Sequence, residues 1–135
     1  MNREDFPMLD GDIIYLDNGA TSLKPKCVID KIVDYYSNYS ANAHRGDYDI
    51  SFKVDLEYEN SRELVRNFIN ASDTEEIIFT SGGTESDNMA IKGVALKYED
   101  KGKHIITTEI EHPAVLRTCE FLESRGYEVT YLPVN

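Results

Sequence analysis

Apolar positions recur at helical spacing in the first half of the chain, and helix and strand patterns alternate in the second. Val28, Ile29, Ile32, Tyr35, Tyr36 and Tyr39 recur with the period of one helical face. This spacing predicts one buried stripe on a helix that runs to about Tyr39, with Pro25 suited to its first turn. After a polar loop over 40–50, Phe52, Leu56, Leu64, Val65, Phe68 and Ile69 mark one side of a second helix from Ser51 to about Asn70, which Ala71-Ser72-Asp73 ends. The remainder predicts a strand over 76–80, a helix over 84–99, a strand over 104–108, a helix over 113–125 and a strand over 127–132. Pro113 starts the fourth helix and Gly126 stops it. Such a βαβαβ order demands a mostly parallel sheet with crossover helices, hence an α/β fold preceded by a helical segment.

Neither a repeat nor a low-complexity tract interrupts this order, so the expectation is one continuous α/β piece over 1–135. It divides into an N-terminal strand and helical segment, 1–72, and the start of a βαβαβ domain, 73–135. At 135 residues, 41% hydrophobic, the chain can build one modest core. Fourteen basic against twenty-five acidic residues give a net charge of −11 with no basic patch, which argues against nucleic acid or an anionic membrane as partner. No apolar run approaches the ~20 residues that span a bilayer, and MNREDFPMLDGD has neither the apolar centre of a signal peptide nor the Arg/Ser bias of a transit peptide. Cytoplasmic residence is the resulting expectation. Cys27 and Cys119 lie far apart, with no Cys-x-x-Cys and no histidine cluster, so neither a disulfide framework nor a metal site is expected.

The chemistry concentrates in FTSGGTESDN at 79–88. There a β-type run breaks at Gly82 and Gly83 and passes into a helix. That arrangement lets backbone N–H groups meet an anion, and the hydroxyls of Thr84 and Ser86 stand beside them as further donors. A plain strand-to-helix turn, with Thr84 as N-cap and Asp87 closing a capping-box-like pair, accounts for the same residues. Neither Gly-x-Gly-x-x-Gly nor Gly-x-x-x-x-Gly-Lys-Ser/Thr occurs, which disfavours the nucleotide folds that use them. Of the three histidines, His104 opens an apolar strand and fits a structural role. His44 sits in a polar loop beside Arg45 and reads as solvated. His112 precedes Pro113 on the loop after a strand, where open α/β sheets place ligands and where a helix cap is equally at home.

FTSGGTESDN resembles the phosphate-binding turn of the class V aminotransferase superfamily of pyridoxal-phosphate enzymes, and within it the cysteine desulfurases. DNGAT at 17–21, after Ile13-Ile14-Tyr15-Leu16, is similar to that family's N-terminal strand and active-site turn. KGKHIITTEIEHPAVLRTCEFLE at 101–123 resembles the strand, loop and helix that carry its ring-stacking histidine. AHRGDYDIS at 43–51 resembles the loop by which one protomer reaches its partner's active site in the branch that includes selenocysteine lyases.

The resemblance implies the large domain of the fold type I pyridoxal-phosphate transferases, of which this chain would be an N-terminal portion. Gly83 and Thr84 would hold the cofactor phosphate, and His112 would lie over the pyridine ring and help move protons. Asn18 and Ala20 would line the substrate pocket, although Asp17-Asn18-Gly19 reads equally as a turn. His44 and Arg45 would reach the dimer partner, where Arg45 is expected to pair with Glu85. The implied activity removes sulfur from L-cysteine, leaving alanine and an enzyme persulfide for Fe–S assembly or another sulfur acceptor, in a homodimer. Neither the cofactor-binding lysine nor the nucleophilic cysteine of the family has a matching position here, so residues 1–135 alone are expected to be inactive. A selenocysteine lyase, another class V aminotransferase, and a non-catalytic fragment or assembly half are the alternatives.

Overall fold

The computed structural model describes residues 2–134. It contains helices α1 (Lys26–Asp34), α2 (Asp49–Ile69), α3 (Gly83–Lys97) and α4 (Pro113–Glu123) and strands β1 (His104–Thr108) and β2 (Glu128–Leu132). The chain divides into two compact units, Met1–Ile77 and Ile78–Asn135.

In the first unit, two 3-10 turns, Arg3–Asp5 and Pro7–Leu9, precede an irregular stretch. The Arg3 guanidinium organises it by donating to the carbonyls of Leu9, Gly11 and Ile13 at 2.9, 2.9 and 2.7 Å. The expected strand at 13–16 does not form. Ile14 and Leu16 are exposed, and among the described residues no strand pairs with them. Pro25 stands just before α1 as its N-cap, and the helix widens into a π-helical turn over Tyr35–Tyr39. Only Tyr39 of the predicted stripe is buried, while Val28, Ile29, Ile32 and Tyr36 remain exposed. The side of α2 that carries Phe52, Leu56, Leu64 and Phe68 is exposed as well. Both stripes have the right period, but the described residues of this unit supply no element that covers them. Burial centres instead on Tyr39, Ser51, Val54 and Ile77. Helix α2 ends at Asn70, whose left-handed backbone (φ 57°) turns its N–H and that of Ala71 back to the Arg66 carbonyl.

The second unit realises most of the predicted alternation. β1 and β2 pair in parallel from His104 opposite Glu128 to Thr108 opposite Leu132, joined by α4. Ala114, Thr118, Cys119 and Leu122 of α4 and Tyr127 before β2 form its core, and the Tyr127 hydroxyl donates to the Ala95 carbonyl of α3 at 2.8 Å. His104 has the structural role expected of it, its Nε2 standing 2.7 Å from the Thr130 hydroxyl.

The strand expected over 76–80 is absent. Thr74–Glu76 is a 3-10 turn capped by Asp73, and the residues after it form no ladder among those described. Strand character needs a neighbour as well as an apolar run, and among the described residues β1 pairs with β2 alone. The Ile77 carbonyl accepts instead from the Arg62 guanidinium. No helix among the described residues is long and apolar enough to cross a membrane.

Candidate functional site

Gly82 has φ 158° and ψ 178°, a region that glycine alone occupies comfortably, and α3 begins at the next residue. The N-cap is therefore Gly82 rather than Thr84, because the turn is set by backbone geometry and not by a side-chain oxygen. The first helical bond runs from the Ser86 N–H to the Gly82 carbonyl at 3.1 Å. The N–H groups of Gly83, Thr84 and Glu85 consequently have no partner among the described residues. A Cβ built on Gly82 or Gly83 meets nothing within 4 Å, so the turn borders open space.

Two side chains hold this turn in shape. Glu85 accepts the Ser81 N–H at 2.6 Å, and that hydrogen bond, reinforced by the Ser81 hydroxyl, holds its carboxyl below the ordinary glutamate range. The Thr80 and Ser86 hydroxyls lie 2.6 Å apart, and both also reach the Gly82 carbonyl, at 3.2 and 3.3 Å. Ser86 is thereby tied into the turn instead of standing at the mouth as a donor. The Thr84 hydroxyl has no such tie, and Thr84 is exposed. The role of Thr80 was missed from sequence; its signal is a hydroxyl residue two before the glycine that turns the chain.

His112 lies on the loop after β1 and is the N-cap of α4, its Nδ1 accepting the Ala114 N–H at 3.1 Å. The ring is exposed while Ala114 beside it is buried. Glu111, the preceding residue, accepts a hydrogen bond from the Thr108 hydroxyl at 2.8 Å, which fixes the loop at the carboxyl end of β1. The structure thus gathers Gly83, Thr84 and Glu85 in one helical turn and puts His112 at the start of α4, the helix that packs on α3. Cys119 lies inside α4, buried, where desolvation pushes its thiol up and away from thiolate character.

The remaining predicted residues belong to the first unit. Asn18 and Ala20 form a turn closed by the Ala20 N–H donating to the Asp17 carbonyl at 3.1 Å. Tyr15 clamps it, its hydroxyl donating to the Thr21 carbonyl at 2.6 Å. Asn18 also lines a cavity of about 450 Å³ with Arg3, Phe6, Ile14 and Leu23. His44 is anchored rather than simply solvated. Its backbone is left-handed (φ 58°), its N–H donates to Asp55 at 2.5 Å, and its ring stands near the Asp55 and Glu59 carboxylates at 3.4 and 3.7 Å. Arg45 is exposed at the bend that follows. No group of three or more potential ligands among the described residues could hold a metal ion.

The family described as Aminotransferase class-V matches residues 14–135. A mitochondrial cysteine desulfurase of Candida maltosa is 44% identical over 122 residues, covering 90% of this chain and 25% of that protein. Its compartment shows that cytoplasmic residence is not common to such relatives. Among solved structures, the apo cysteine desulfurase of Thermococcus onnurineus NA1 superposes with a TM-score of 0.82 at 37% identity, over 98% of this chain and 33% of that one. A structure titled SspA in complex with cysteine gives 0.76 at 38% identity, over 89% and 34%. The chain therefore spans about a quarter to a third of the length of the proteins it resembles.

Proposed function

Because this chain belongs to the class V aminotransferase family, we propose that it is the phosphate-gripping and ring-stacking part of a pyridoxal-phosphate-dependent cysteine desulfurase. The observation that carries this reading is the set of unpartnered N–H groups of Gly83, Thr84 and Glu85 opening onto unfilled space. Such a donor set suits a phosphate dianion, since charge-assisted hydrogen bonds contribute roughly 1.5–3 kcal/mol each and the helix dipole adds up to ~2 kcal/mol. Gly83 and Thr84 would hold the phosphate by backbone N–H and hydroxyl, and His112 would cover the pyridine ring. Pyridoxal phosphate, when bound, supplies an electron sink for the substrate.

The chain's own residues do the orienting. Glu85 fixes the turn through the Ser81 N–H, and Thr80 and Ser86 brace the Gly82 carbonyl. The exposed His112 ring is held by the α4 cap. In the whole protein, sulfur would pass from L-cysteine to an enzyme cysteine thiolate, leaving alanine and a persulfide for an acceptor such as an Fe–S scaffold. Neither Cys27 nor the buried Cys119 is assigned that role. The cysteine-bound structural relative supports L-cysteine as substrate.

A homodimer belongs to the same proposal, with Asn18 and Ala20 at the substrate pocket and His44 and Arg45 reaching the partner protomer. Glu85 keeps one carboxylate oxygen beyond the one bonded to Ser81, and that oxygen could meet Arg45 of the other protomer. Charge reversal at Arg45 should weaken dimerisation, with rescue by the opposite reversal at Glu85; absence of rescue sinks the pair. For the activity itself, the full-length protein is incubated with L-cysteine and with L-selenocysteine, and alanine is measured. Release from L-cysteine supports the desulfurase. Release from selenocysteine alone would reassign it as a lyase, and release from neither would remove the activity.

A further inference from the structure

Pro113 occupies the first position of α4 and has no N–H, so Ala114 carries the first backbone donor of the helix. That donor is aimed at His112 Nδ1 at 3.1 Å. A ring nitrogen that accepts a hydrogen bond cannot also carry a proton, so the neutral ring must carry its proton on Nε2. Protonation at Nδ1 would set two N–H groups against each other and place a positive charge at the positive end of the α4 dipole.

We infer that His112 is locked by the Ala114 N–H in its Nε2–H tautomer, and acts toward a bound ring as a fixed plate and hydrogen-bond donor. With Nδ1 engaged and Nε2 already protonated, the locked ring has no lone pair left to serve as a base. The Glu111 carboxylate accepts from the Thr108 hydroxyl and makes no hydrogen bond to the ring among the described residues. The meaning of this lock for catalysis rests on the proposed stacking role of His112, whereas the lock itself does not.

The test uses the full-length protein with 15N-labelled histidine, recorded at alkaline pH before and after addition of pyridoxal phosphate. The expected spectrum has Nδ1 of His112 in the unprotonated ring range and Nε2 in the protonated range. Amide exchange supplies a second readout. His112→Phe should speed exchange at Ala114 by roughly fivefold, and His112→Asn, which restores a capping oxygen, should not. A proton on Nδ1, averaging between tautomers, or unchanged Ala114 exchange in His112→Phe would overturn the inference. If His112→Phe does not fold, the wild-type ring spectrum decides alone. Unchanged ring resonances on cofactor addition, with the tautomer as expected, would remove the stacking role and leave the lock standing.

Discussion

A methyl group added at Gly46 would stand 2.6 Å from both the Cβ and the Oγ of Ser51 and would overlap the Tyr48 ring. The ring can swing aside, but Ser51 is fully buried in α2 and its hydroxyl reaches the Asn42 carbonyl at 3.4 Å. The glycine of the His-Arg-Gly run is thus a packing requirement: it lets the loop that bears His44 and Arg45 lie against the start of α2. Gly46→Ala is expected to cost about 1–3 kcal/mol, the usual range for forced overpacking, measured as a lowered denaturant midpoint with an unchanged slope. An unchanged midpoint would mean that the loop yields without cost. His44 illustrates a limit of reading at this scale. Its polar surroundings suggested solvent, but Asp55 and Glu59, which face it, lie a further eleven and fifteen residues along the chain.

At the scale of elements, the boundary signals held best where they were local. The predicted strand over 104–108 matches β1, and Pro113 and Gly126 bracket α4 as expected, because a missing N–H and a chain-reversing glycine act within one turn. The start of α3 was less legible: Thr84 reads as its N-cap, whereas the backbone angles at Gly82 put the cap two residues earlier. The run at 76–80 has strand composition but no ladder, since pairing depends on a neighbour that the local sequence does not contain. Glu85 now carries a test of the α3 turn. Its folded-state carboxyl is held low by the Ser81 N–H, so its contribution to stability is present above its unfolded-state value and is lost as pH falls through the lowered folded-state value. Glu85→Gln should lower stability at neutral pH and flatten the acidic limb of the stability profile, leaving the pH dependence near neutrality unchanged. Superimposable acid limbs would show that the turn does not depend on the charge.

For the molecule as a whole, Phe52, Leu56, Leu64 and Phe68 on α2 and the stripe of α1 are exposed apolar side chains, a pattern that marks an interaction surface. Isolated residues 1–135 are expected to self-associate in sedimentation experiments and to release no alanine from L-cysteine; sustained release would refute the expectation that they are inactive alone. The proposed phosphate grip rests on residues of this chain, Gly83 and Thr84, so it bears the central claim. The most direct measurement compares the affinity of the full-length protein for pyridoxal phosphate with that for pyridoxal, in wild type and in Thr84→Val. The account predicts at least about a hundredfold preference for the phosphorylated form, equivalent to two charge-assisted hydrogen bonds, and a loss of roughly tenfold of it in Thr84→Val. Equal affinity for the two compounds, or a preference untouched by Thr84→Val, would contradict it.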